Sequence, residues 1–234
     1  MKLISKPALA AGIAMAVASA PACAQVNGIA VTDIAVAVAS TQSLQTGLQQ
    51  IGTTYAAQIT QLEQLETQRQ QLLQTLDTNG DGQIDEAEQA TLTETNPTVQ
   101  QVGQIDQQIA QAQTPLQLAR IYVVSQVAAQ YSAALQQVIS DRNIQIVLSP
   151  EAVAYAPEAA DITEAVATAL YARVPTVNIV PPQGWQPSQA AMQLNQQVQQ
   201  VFAIARAQQQ AAQQAQGAAA PNAAGSPVTA PEGR

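Results

Sequence analysis

The sequence predicts an α+β protein: a long antiparallel α-helical hairpin, a coiled-coil tentacle, standing on a small β-containing base and followed by a C-terminal helical extension. Two long glutamine-rich stretches carry apolar residues at intervals of three and four, the spacing of one helix face. A short acidic loop separates them, and β-branched runs stand immediately before the first stretch and after the second. The order along the chain is then a leader (1–24), a base built from 25–40 and 143–174, and the hairpin (41–142) with its loop at 77–88. An extended segment plus helix (175–216) and a disordered tail (217–234) complete it.

Lys2 and Lys6 precede an apolar run, Pro7 to Ala20, that is too short to span a bilayer, and Ala22-Cys23-Ala24 has the small residues of a cleavage site. Residues 1–24 therefore read as a secretory signal peptide cut before Gln25. Cys23 could instead head a lipid-modified N-terminus, the minority reading, because Ala20 stands where a large aliphatic residue is usual and Pro21 fits poorly. Removing the leader leaves six Arg against sixteen carboxylates, a formal charge of −10 where the full chain has −8, and no Lys, Cys or His. Nothing remains for a disulfide, a zinc site or a histidine base. An acidic chain without Lys lacks the cations that nucleic-acid phosphates demand. No later segment is long and apolar enough to cross a membrane.

In the base, Gly28-Ile29-Ala30-Val31-Thr32-Asp33 and Ile144-Gln145-Ile146-Val147-Leu148 read as strands that the closing hairpin brings together, and Ala152-Val153-Ala154-Tyr155 as a third. Asp161-Ile162-Thr163-Glu164 offers an N-cap acceptor with Glu three residues later, opening a short helix that Val174-Pro175 ends. The first arm of the hairpin is striped by Leu44, Leu48, Ile51, Tyr55, Ile59, Leu62, Leu65, Leu72 and Leu76. The return arm opens at Asn96-Pro97, where proline suits a first helical turn, and is striped by Val102, Ile105, Ile109, Ala112, Leu116, Ala119, Val123, Val127, Ala134 and Val138. Each stripe alone is exposed, so the arms bury against each other over about 50 Å or more at 1.5 Å per residue. Pro115 removes one backbone hydrogen bond, so a kink or short break is expected at Thr114-Pro115.

The loop at the turn of the hairpin, Asp77 to Glu88, fills every position of an EF-hand calcium loop. Asp77, Asn79 and Asp81 offer side-chain oxygens at positions 1, 3 and 5, Gln83 a backbone carbonyl at 7, Asp85 a ligand at 9 and Glu88 a bidentate carboxylate at 12. Gly82 at position 6 permits the sharp turn. One Ca2+ per chain is expected, bound weakly because no second hand is present to pair with this one. Acidic turns between helices are also commonly just solvated, and the completeness of the pattern favours the metal. Beyond the base, Val177 to Pro182 reads as extended, Gly184-Trp185-Gln186-Pro187-Ser188 as a turn, and Gln189 to Gln216 as a helix with Met192, Leu194, Val198, Val201, Phe202 and Ala205 on its apolar side. Trp185 is the single Trp and reads as a packing anchor for the tail more readily than as a partner hot spot.

Ile29-Ala30-Val31 with Asp33 after the leader, the helical hairpin, and the block from Ile144 through Ala152-Val153-Ala154-Tyr155 to Asp161-Ile162-Thr163-Glu164-Ala165-Val166 together resemble the Skp/OmpH periplasmic chaperones of Gram-negative bacteria, over roughly residues 28 to 174. The resemblance implies a periplasmic homotrimer whose bases form a β-rich body and whose three tentacles shelter unfolded outer-membrane proteins. Three features depart from that pattern: the hairpin lacks the family's Lys-rich surface, the calcium loop occupies the tip, and the chain continues past Pro175. An enzyme is disfavoured, because the one dense carboxylate cluster already suits calcium and no catalytic constellation is present. Two readings stay open: a holdase chaperone with a calcium-binding tip, and a calcium-binding coiled-coil spacer of the cell envelope without chaperone activity.

Overall fold

A computed structural model describes residues 28–80, 82, 86–89, 92–93 and 95–218. The segment read as a signal peptide, 1–24, and the segment beyond Ala218 read as a disordered tail lie outside the described residues. The chain opens with β1 (Ile29–Val31), whose partner is β2 (Ile146–Leu148). The two pair in parallel, in the register Ile29 to Ile146, Ala30 to Val147 and Val31 to Leu148. Thr32 N–H donates to the Leu148 carbonyl at 3.1 Å, extending the ladder by one rung.

The expected third strand does not form. Pro150–Ala152 makes a 3-10 turn instead, and Tyr155 projects into solvent at 84% exposure. Pro150 and Pro157 bracket this run, and neither has an N–H to give to a ladder. The far side of β1 is met by Asp161, which bridges to Val31 in parallel, with Ile162 N–H donating to the Val31 carbonyl at 2.9 Å.

Helix α1 (Ile34–Ser40) follows β1 directly, inside a segment that the sequence pattern left unassigned as helix. Asp33 starts it, its carboxylate accepting from Ala35 N–H at 2.7 Å and Val36 N–H at 3.0 Å. The first arm is two helices, α2 (Gln42–Thr54) and α3 (Ala56–Leu76), joined through Tyr55. After α4 (Glu86–Gln89) the return arm is α5 (Pro97–Ala128) and α6 (Tyr131–Arg142). Asn96 caps α5 by accepting from Thr98 N–H at 2.9 Å. The helix runs without a break through Pro115, contrary to a break there, and the interruption falls at Ala129–Gln130 instead. One missing hydrogen bond is tolerated because Leu116 and Ala119, just beyond it, are buried against the first arm and hold the register.

Both stripes face inward. Leu44, Ile51, Val123, Val127 and Ala134 are at most 2% exposed, whereas toward the tip only Leu65 and Leu76 are buried and Leu62, Leu72, Val102, Ile105 and Ile109 stay half-exposed. Near the base the arms are covered by further elements; toward the tip two helices cover only each other. Asn143 in the left-handed conformation (φ 53°, ψ 41°) ends α6 and turns the chain into β2. Helix α7 (Thr163–Arg173) packs on α1 and α6. Asp161 accepts from Thr163 N–H at 2.8 Å, so the expected acceptor works at the helix start although Ile162 holds the cap position.

The chain then folds back over the hairpin, and α8 (Gln189–Ala218) lies against α1 and α5. Val177 packs at Gly47, and Gln126 binds Asn178 in both directions, donating to its carbonyl at 2.8 Å and accepting from its N–H at 3.0 Å. Trp185 meets Tyr122 edge-on at 5.0 Å. Trp185 therefore packs within the chain, but it seats on the hairpin through Tyr122 of α5 rather than on the base. Leu194 and Val198 are buried, Val201 and Phe202 half-buried, and Met192 and Ala205 exposed, so the apolar side of α8 is narrower than its sequence indicates.

Candidate functional site

The tip is closed by its own carboxylates. Asp77 ends α3 and accepts from Gly80 N–H at 2.7 Å and, with its other oxygen, from Gly82 N–H at 2.8 Å. Gly80 and Gly82 both have positive φ (75° and 81°), which a side chain would strain. From the other side of the loop Glu88, only 5% exposed, turns its Oε1 back to accept from Thr78 N–H at 2.5 Å, the Thr78 hydroxyl at 2.9 Å and Asn79 N–H at 3.1 Å. The Glu88 carboxylate thereby ties the end of the loop to Thr78 and to the Asn79 backbone. The other three expected ligands, Asp81, Gln83 and Asp85, lie outside the described residues. Among the described residues no three His, Cys, Asp or Glu side chains form a metal-sized cluster. The donors that are described are all oxygens, and a carboxylate at each end of the loop is the chemistry a hard cation such as Ca2+ takes. Both carboxylates face N–H donors rather than each other, so the loop holds its negative charge by hydrogen bonding.

Below the tip, Arg69 of α3 meets Asp106 of α5 at 2.6 Å and links the two arms. Both side chains are more than 40% exposed, so the pair is worth only about 0–1 kcal/mol. The rest of the described hairpin surface is rich in glutamine, with exposed Glu63, Glu66 and Arg120 among it and the partly buried apolar stripe between the arms.

At the base a groove of about 640 Å³ runs between β2, α6 and α8, walled by Ile34, Leu135, Leu148 and Val201 and edged by Asp33, Tyr131 and Glu151. Burial pushes the Tyr131 phenol above its ordinary value of 10.0, and the Asp33 carboxylate adds to the rise. A second groove, between α2, α5 and α8, contains Arg120, Asn195 and Arg206, residues that sequence reasoning missed. The available signal was slight: two isolated Arg in otherwise neutral helical stretches that are remote in sequence. Among the described residues no helix is long and apolar enough to cross a membrane.

The described residues thus form a helical hairpin on a small α+β base, with a polar tip and an apolar inner stripe. The family is shown directly: residues 28–170 match the OmpH-like outer membrane proteins, and this chain belongs to that family. A crystal structure of a candidate OmpH-like outer membrane chaperone from Caulobacter crescentus CB15 is similar at 21% identity, over 68% of this chain and 93% of that one, with a TM-score of 0.39. No curated protein sequence matches the chain.

Proposed function

We propose that this protein is a periplasmic holdase for unfolded outer-membrane proteins, acting as a homotrimer whose hairpins enclose the client and whose tips each bind one Ca2+ through Asp77, Asn79, Asp81, Gln83, Asp85 and Glu88. The observation that carries the reading is the family membership, which spans the base and the whole hairpin. The stripe of Leu62, Leu72, Val102, Ile105 and Ile109, only partly buried where the stripe near the base is fully so, supports it, because a client's apolar segments gain by covering what the two arms leave open. Short parallel strands also leave a β2 edge for a neighbouring chain to pair with.

The hairpin offers no Lys, so long-range attraction contributes little to capture. Apolar contact and glutamine amides, which both donate and accept, do the holding. Ca2+ neutralises the carboxylates of the tip and stiffens the turn between the arms; no catalytic role is proposed. The spacer reading shares the hairpin and the tip but binds no clients. Dilution of an unfolded outer-membrane β-barrel protein into buffer with and without the mature chain separates the two. Suppressed aggregation supports the holdase, and unchanged aggregation leaves the spacer.

A further inference from the structure

The family match ends at residue 170, and the segment beyond it encloses a groove that the matched region alone does not make. Where α8 lies over the hairpin, Leu48, Ile51, Val124, Val198 and Phe202 line a cavity of about 350 Å³. Two arginines line the same cavity, Arg120 from α5 and Arg206 from α8. Neither has an ion-pair or hydrogen-bond partner among the described residues, whereas Arg69 is paired with Asp106 and Arg173 with Gln137. In a chain of sixteen carboxylates and eight cations, two arginines on one apolar groove without a carboxylate leave a local positive charge unanswered. Asn195, 8% exposed, adds a side-chain amide in the groove wall that makes no hydrogen bond among the described residues.

We propose that this groove binds a single-chain anionic amphiphile, its acyl tail on the apolar wall and its carboxylate on Arg120 and Arg206. The α8 residues lining it, from Asn195 to Arg206, recur at intervals of three and four along about 16 Å of one helix face, which suits a tail rather than a lone ion. The volume sits near the bottom of the roughly 300–1,000 Å³ range of small-molecule pockets, too little for a two-tailed lipid. A polypeptide is disfavoured, because only Asn195 and Gln199 offer uncharged polar side chains to its backbone groups, and unmatched amides are costly to bury.

The test is calorimetric titration of the mature chain with decanoate, octanoate, 1-octanol and a short peptide ending in Leu with a free carboxylate. Decanoate binds at one site per chain, and octanoate binds roughly fifteenfold more weakly, since each buried methylene is worth about fourfold. The Arg120→Gln/Arg206→Gln double variant, which removes no ion pair or hydrogen bond among the described residues, weakens decanoate about tenfold and leaves 1-octanol nearly unchanged. Phe202→Ala weakens both ligands. No saturable decanoate binding, or decanoate affinity unchanged in the arginine double variant, overturns the proposal. So does a peptide that outcompetes decanoate, which assigns the groove to chain termini.

Discussion

Gly47 and Gly52 lie in the same helix, and alanine at the two positions is expected to act with opposite sign. A methyl group on Gly52 meets nothing within 4 Å, while on Gly47 it falls 2.6 Å from Val177 Cγ2 and 2.9 Å from Val123 Cγ1. In a helix interior alanine is better than glycine by about 0.8–1 kcal/mol, so Gly52→Ala stabilises by roughly that amount. Gly47→Ala makes the same gain and adds an overpacking cost of about 1–3 kcal/mol, because Val123 is fixed in α5 and Val177 is held by the Gln126 bonds to Asn178. The two variants therefore differ by about 1–3 kcal/mol, which is about 2–12 °C in Tm for a chain of this size. Thermal unfolding of the mature protein, followed by circular dichroism, reads the difference. If Gly47→Ala raises Tm as much as Gly52→Ala does, Val177 is not seated on the hairpin and the fold-back of the C-terminal segment is wrong.

Calorimetric titration with Ca2+ is expected to show one site per chain with a Kd on the order of 10⁻⁴ to 10⁻³ M, abolished by Glu88→Gln; a flat trace at millimolar Ca2+ removes the metal site. Light scattering of the mature chain is expected to give the mass of three chains, and a monomer contradicts assembly through the base. Because Tyr131 is held above its ordinary pKa, the folded state keeps its proton where the unfolded state has lost it. The contribution of Tyr131 to stability should thus be fully present below pH 10.0 and be lost as pH rises past it, and Tyr131→Phe should flatten that fall in urea titrations between pH 9 and 11.

The hairpin was legible because both arms repeat apolar residues at one period over many turns, and the inward-facing set matched the stripe from Leu44 to Leu76 and from Leu116 to Val138. The base was harder to read. Ala35-Val36-Ala37-Val38 alternates like a strand, yet Asp33 nucleates a helix there, and Ala152 to Tyr155 looks like a strand but has proline on both sides. Short apolar runs do not distinguish the two periods, and caps and prolines decide. At the tip, Asp77 accepts from Gly82 N–H and Glu88 from Asn79 N–H, while the expected ligands Asp81, Gln83 and Asp85 lie outside the described residues. The groove of Arg120, Asn195 and Arg206 follows no motif, since its residues come from helices joined by a long connection and meet only through packing.

In the proposed function, hairpins with little charge retain unfolded clients by apolar and amide contact. The direct measurement is the fraction of an unfolded outer-membrane β-barrel protein held in soluble complex with the mature chain across a salt series from 0.02 to about 1 M, where the screening length shrinks to about 3 Å. Retention that stays nearly constant across the series is the predicted result. A steep loss with salt, or no retention at any salt, contradicts it.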